Sequence, residues 1–287
     1  MMRKVSEIMI KDYIVIDSFW SIRRIHDLVD QTDMDCFPVA DNHMIIGVLT
    51  RNDLIKAHPN RIALDAMTGK FKEIQANESI WKAKEALDMG GADLLLVTHE
   101  GEIVGILTKQ VLNFEIGKHI DLLTGLHKSD YILYKSLEFL EQGKEISVVF
   151  FDINNFGCIN KEFGHVVGDR ILQEIAQLLK VNTPEESYLC RYGGDEFALL
   201  TANYAEDCKA LAEKLLQIIR EHQFPKNIDI SVSAGIAGGR RRNARMTDMY
   251  ETVSNLINIA SLASTKAKKQ QDNLVLGYCG FIDEIAI

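Results

Sequence analysis

The seven residues Arg191-Tyr192-Gly193-Gly194-Asp195-Glu196-Phe197 set two adjacent carboxylates directly behind two glycines, between short apolar runs at 187–190 and 197–200. Strand-forming residues on both sides of a glycine pair read as a tight hairpin whose turn presents its acids instead of hiding them. Adjacent carboxylates at such a turn repel each other unless a cation sits between them. A second acid strengthens the case, because the run 146–151, Ile-Ser-Val-Val-Phe-Phe, reads as a buried strand ending at Asp152. Carboxylates from a strand end and a hairpin turn, brought side by side, can hold two divalent cations, an arrangement suited to displacement at phosphorus.

The elements that must position these acids follow in order. Periodicity predicts a helix over 128–141, a strand over 146–152, a helix over 168–180 and the hairpin. A helix over 205–221, a strand over 229–234 and a helix over 246–269 come after it. That order implies an α/β sandwich with a mixed, partly antiparallel sheet. From the first strand to the opening of the second helix lie Asn160, Gly164-His165 and Gly168-Asp169. An amide and a carboxylate together match the hydrogen-bonding edge of guanine, whose N1–H and exocyclic amine a carboxylate can accept.

Two further segments, Asp121-Leu122-Leu123-Thr124-Gly125-Leu126 and Ser233-Ala234-Gly235-Ile236-Ala237, complete five motifs in one order. Together they resemble the GGDEF family, the diguanylate cyclases, across roughly 119–276. The resemblance implies a palm-like fold and the condensation of two GTP into cyclic di-GMP and pyrophosphate. It implies two Mg2+ (or Mn2+) per site, ligated by Asp152, the backbone carbonyl of Ile153 and Asp195, with Glu196 as a metal or proton-handling carboxylate. Asn160 and Asp169 would select guanine, Gly193 and Gly194 would shape the substrate turn, and Arg191 and Lys268 would meet phosphate. Lys268 and Asn273 match the family's last motif, and His165 reads as a structural hydrogen-bonding residue. A two-fold symmetric product made from one GTP per domain implies a homodimer.

Departures from the family pattern are equally specific. Gly157 stands where a triphosphate-binding lysine is expected, and Asn154 where an aspartate is. Ser261, Thr265, Gln271 and Asp272 replace four residues of the last motif, while Pro184 and Ser187 replace the arginine and aspartate of a product-binding site. The cluster Arg240, Arg241, Arg242 and Arg245 reads as a solvated loop. These departures leave open a non-catalytic alternative, a GTP-responsive scaffold.

The first 118 residues are one unit written twice. Ile45-Ile46-Gly47-Val48-Leu49-Thr50-Arg51 recurs 58 residues later as Ile103-Val104-Gly105-Ile106-Leu107-Thr108-Lys109, and Met9 pairs with Met67 at the same offset. Each copy predicts a serine-capped helix, over 21–30 or 79–89, then two strands and a new helix opening at Thr50 or Thr108. This resembles a tandem pair of CBS domains, 1–60 and 61–118, packed sheet to sheet ahead of a catalytic domain over 119–287. The resemblance implies adenine-nucleotide binding at Gly47, Thr50 and Asp53, with Val111 spoiling the second site. The joint, 114–121, lacks a Pro/Gly/Ser-rich linker, so a stiff helical connection is expected.

Composition narrows the class. The chain has 287 residues, 47% hydrophobic and 25% charged, with a net charge of -9, which disfavours a general nucleic-acid binder. No stretch approaches the ~18 apolar residues of a membrane span, and the first residues lack a signal peptide's apolar core, so a cytoplasmic protein without membrane or nucleic-acid partners is expected. Five cysteines without a CxxC pair read as free thiols.

Overall fold

A computed structural model describes residues 2–240, 248–270 and 272–282, the side chain of Arg240 excepted. The arginines at 241, 242 and 245, and Gln271, lie outside the described residues. Two compact units divide the chain at Lys118 and His119.

The first unit contains β1 (Ile16–Asp17), α1 (Ile22–Val29), β2 (Cys36–Asp41), β3 (Met44–Thr50), α2 (Arg51–Lys56) and α3 (Ala63–Ala66). After these come β4 (Phe71–Gln75), α4 (Ile80–Gly90), β5 (Leu94–His99), β6 (Glu102–Thr108) and α5 (Lys109–Gly117). They form two three-stranded sheets, β1-β2-β3 and β4-β5-β6, each with one parallel and one antiparallel pairing. Ser21 and Ser79 cap α1 and α4 by accepting from Arg24 and Lys82 amides. Cys36 and Val48 of the first sheet pack with Leu94, Leu96 and Ile106 of the second, so apolar faces meet between them.

The two halves exchange their lead-in segments. Ile10 bridges Ile106 while Thr68 bridges Val48, and Lys4 bridges Ser79 while Ser21 bridges Ile62. Both pairs obey the 58-residue offset, so each half is completed by backbone belonging to the other copy of the sequence repeat. Sequence periodicity alone gives no sign of this exchange, because both registers carry the same residues. The expected stiff connection also differs: α5 stops at Gly117, a weak helix former, and beyond it Ile120 bridges His127.

The second unit runs β7 (His127–Lys128), α6 (Ser129–Glu141), β8 (Ile146–Ile153), α7 (Phe156–Phe163), α8 (His165–Asn182) and β9 (Ser187–Arg191). It continues through β10 (Glu196–Thr201), α9 (Ala205–Glu221), β11 (Val232–Arg240), α10 (Met249–Gln270) and β12 (Leu274–Phe281). One six-stranded sheet has the order β12-β11-β8-β10-β9-β7, antiparallel at its centre and parallel at both edges. Strand β8 is buried on both faces, which explains its unbroken apolar run. Val149, Phe151 and Ile153 join the core beneath α8 and α9, whereas Val148 and Phe150 join the core with α6 and α10.

Strand β11 begins later and runs further than the expected 229–234. Its glycines look like breakers, yet Gly235 lies so close to the Ala260 carbonyl of α10 that a side chain would collide with it. Glycine in this strand serves close helix–sheet approach, not termination. The short α7, β7 and edge strand β12 carry too few periodic residues to announce themselves.

Candidate active site

Three strands converge on Asp152. In register it faces Glu196 of β10 on one side and Ser233 of β11 on the other. The hairpin turn closes with Tyr192 and Gly193 amides donating to the Glu196 carbonyl at 2.8 and 3.3 Å, and the Ile153 amide donates to the Asp195 carbonyl at 3.3 Å. The turn is thereby stitched to the end of β8, which draws Asp152, Ile153, Asp195 and Glu196 together.

Charge in this cluster is unbalanced. Burial pushes the Asp195 carboxyl above its ordinary value, and the neighbouring Asp152 charge adds to the effect. Burial likewise raises Glu196, with Asp152 and Asp195 both contributing. Lys268 of α10, whose Nζ lies 2.7 Å from Asp152 Oδ1, compensates in part, and the Arg191 charge also eases Asp195.

The two turn glycines have different reasons. Neither occupies the left-handed region; the Glu196 carboxylate folds over Gly193 so closely that a Cβ would overlap it, while the space at Gly194 is open. What Gly193 supplies is room for a carboxylate.

Arg191 ties the turn to the segment before β7. Its Nη1 donates to Asp121 Oδ1 at 2.9 Å, and its Nε and Nη2 donate to the Gly194 carbonyl at 3.1 and 2.5 Å. Burial acts to raise the Asp121 carboxyl, but hydrogen bonds from Thr124 and Arg191 together outweigh it and hold the group below its usual value.

Asn160 and Asp169 sit on α7 and α8, which are joined through Gly164 at φ 84. The chain reaches α7 four residues after Asp152, through Asn155 in a left-handed conformation. Asn160 packs against Gly168, where any Cβ would overlap its Oδ1, and that Oδ1 is buried with no hydrogen-bond partner among the described residues. Asp169 and His165 are exposed. Gly157 is exposed on α7, with nothing within 4 Å of a hypothetical Cβ. The Asn154 amide nitrogen donates to Ser231 Oγ at 3.1 Å, and its Oδ1 accepts from Ser233 Oγ at 3.0 Å.

Among the described residues no group of three or more His, Cys, Asp or Glu is arranged to hold a metal. The smaller set of Asp152, Asp195 and the Ile153 carbonyl is all oxygen, the donor chemistry that suits Mg2+ or Mn2+. Carboxylates raised by burial and by each other are groups that a cation would relieve.

In the first unit, Thr50 and Asp53 form a capping box on α2. The Thr50 amide and hydroxyl donate to Asp53 Oδ2 at 3.0 and 2.7 Å, and the Asp53 amide donates to Thr50 Oγ1 at 3.1 Å. Both also line a cleft of about 560 Å³ with Lys56, Thr68, Lys70 and Asp93. Gly47 makes room for the Met67 side chain, as Gly105 does for Met9. Thr108 caps α5 by accepting from the Val111 amide at 3.3 Å.

Two features escaped sequence reasoning, the Asp121–Arg191 pair and the Lys268–Asp152 pair, because they join residues 70 and 116 positions apart. No helix among the described residues is long and apolar enough to cross a membrane.

Comparison with known proteins agrees with this architecture. The family model described as "Diguanylate cyclase, GGDEF domain" matches residues 118–274, and a CBS domain model matches 5–60. The chain is 29% identical over 195 residues to cyclic di-GMP phosphodiesterase PdeB of Shewanella oneidensis, covering 63% of this chain and 22% of that protein. It is 30% identical over 128 residues to diguanylate cyclase A of Treponema denticola, covering 41% and 34%. The matches thus span about a third or less of these relatives' lengths. The fold is shared with the coiled coil and GGDEF domain of DgcB from Caulobacter crescentus, crystallised with c-di-GMP, at TM-score 0.51 and 20% identity over 58% of this chain and 90% of that one. With the family model matching 118–274, and Asp152 and the 191–197 hairpin side by side on one six-stranded sheet, the chain belongs to the GGDEF family of diguanylate cyclase domains.

Proposed function

We propose that the chain is a diguanylate cyclase, joining two GTP molecules into cyclic di-GMP with release of two pyrophosphates. The observation that carries this is the convergence of Asp152, Asp195 and Glu196 with Lys268, one short loop away from the α7–α8 hairpin bearing Asn160 and Asp169. Asp169 would accept the guanine N1–H and exocyclic amine, and Asn160 would serve O6 or N3. Asp152, Asp195 and the Ile153 carbonyl would hold divalent cations, which when bound stabilise the leaving pyrophosphate. Glu196, its carboxyl raised by burial, is suited to take up the 3′-hydroxyl proton as the 3′-oxygen bonds to the α-phosphorus and the bond to the β-phosphate oxygen breaks. Arg191 orients the turn through Gly194; its part in catalysis is to hold the carboxylates in place.

Two such domains must face each other to close a two-fold symmetric product, so a homodimer is the working unit. The first unit, read as CBS halves 1–60 and 61–118, would sense an adenine nucleotide in the cleft at Thr50 and Asp53, and 119–287 would be the catalytic domain of a cytoplasmic enzyme. Incubation of the full chain with GTP and Mg2+, with product analysis by mass, tests the reading: cyclic di-GMP is expected, absent from Asp195→Ala. A second reading, a GTP-responsive scaffold, is favoured by Gly157 and Asp272, which remove two cations from the phosphate side. GTP binding without product would establish it.

A further inference from the structure

We propose that Lys268 is a placeholder cation: in the ligand-free chain it neutralises Asp152, and it leaves that carboxylate when a divalent metal enters. This rests on the cyclase reading, and specifically on Asp152 as a metal ligand.

The cluster needs a positive charge before any ligand arrives. Three carboxylates, Asp152, Asp195 and Glu196, gather at the end of β8, and Arg191, the other cation of the turn, is committed to Asp121 and the Gly194 carbonyl. Lys268 reaches across from the last turns of α10 to Asp152 Oδ1 at 2.7 Å. Its backbone is fixed, since Ser264 and Ala267 beside it are buried, so only the side chain has to move. That side chain is 36% exposed against 18% for Asp152, so the pair is partly solvated and held weakly. Exposed pairs of this kind contribute little net energy and are easily exchanged. An ammonium and a divalent cation cannot both claim the same carboxylate oxygen without strong repulsion. Once displaced, the ammonium has lost its partner oxygen on Asp152, and the triphosphate of the incoming nucleotide supplies another. Lys268 therefore suppresses metal binding in the absence of nucleotide and favours binding of the two together.

Mn2+ is the probe, titrated into the full chain without nucleotide and followed by loss of the free-ion EPR signal. Lys268→Met is expected to bind Mn2+ about two- to five-fold more tightly than the parent, the range a partly exposed ion pair allows. Lys268→Gln, which keeps a polar group, should show the same gain. Asp152→Asn placed in the Lys268→Met background should abolish it. Equal Mn2+ affinity in parent and Lys268→Met, with both lost on Asp152→Asn, overturns the placeholder and leaves Asp152 as a metal ligand. If Asp152→Asn leaves Mn2+ binding unchanged in both backgrounds, the metal reading fails and the placeholder fails with it.

Discussion

Arg191 grips Asp121 at 2.9 Å with one nitrogen and the Gly194 carbonyl with two others, so a single guanidinium joins the segment entering the second unit to the turn that carries Asp195. The two side chains are 13% and 19% exposed, which makes this pair stronger than a surface contact.

Replacing Asp121 by alanine should loosen that turn. A charge-assisted hydrogen bond at a half-buried site is worth about 1.5–3 kcal/mol, so thermal unfolding is expected at lower temperature and turnover is expected to fall with it. Because the Asp121 carboxyl is held below its usual value, its contribution is complete above the ordinary carboxylate range and disappears as pH falls through its depressed pKa. Parent and Asp121→Ala melting curves should converge below that point, which a pH series by circular dichroism would check.

Asp195 behaves in the opposite sense. Its folded carboxyl is raised by burial and by Asp152, so the fold is penalised above that raised pKa and relieved as pH falls through it. Asp195→Asn should therefore raise the melting temperature of the metal-free chain at neutral pH while abolishing product. Solvent screening of this half-exposed group limits the gain to less than ~1 kcal/mol, about 2–4 °C or below. A lowered melting temperature would mean that the carboxylates are not strained by one another.

Much of this site was legible in the sequence, and the reasons are local. Glycines next to acids between apolar runs announced the hairpin, and an apolar run ending in Asp152 announced β8. Invisible were features set by distance: Asp121 meeting Arg191, Lys268 meeting Asp152, and Met67 filling the space at Gly47. The full length of β11 was also hidden, since its small residues, chosen for close packing with α10, mimic the composition of a loop.

Gly157→Lys restores the cation expected at the phosphate side. Its position is exposed and open, so a lysine fits without moving a neighbour. Removing a helical glycine stabilises by about 0.5–1 kcal/mol, and a new charge-assisted phosphate contact should tighten GTP by about 1–3 kcal/mol, roughly five- to a hundred-fold. Unchanged GTP affinity by calorimetry would place the triphosphate elsewhere.

Gly168→Ala tests the seat of Asn160. The added methyl collides with the Asn160 amide and must push it aside. Discrimination between GTP and ATP should narrow by at least about ten-fold, while Gly157→Ala, which touches nothing, should leave it intact. Competition binding with the two nucleotides separates these outcomes.

The central claim is tested most directly by following pyrophosphate and cyclic di-GMP in one reaction of the full chain with GTP and Mg2+. One pyrophosphate per GTP consumed is expected, with one cyclic di-GMP for every two, and neither from Asp195→Ala. GTP bound stably at saturating Mg2+ with no pyrophosphate released would contradict the cyclase and leave a nucleotide-binding scaffold.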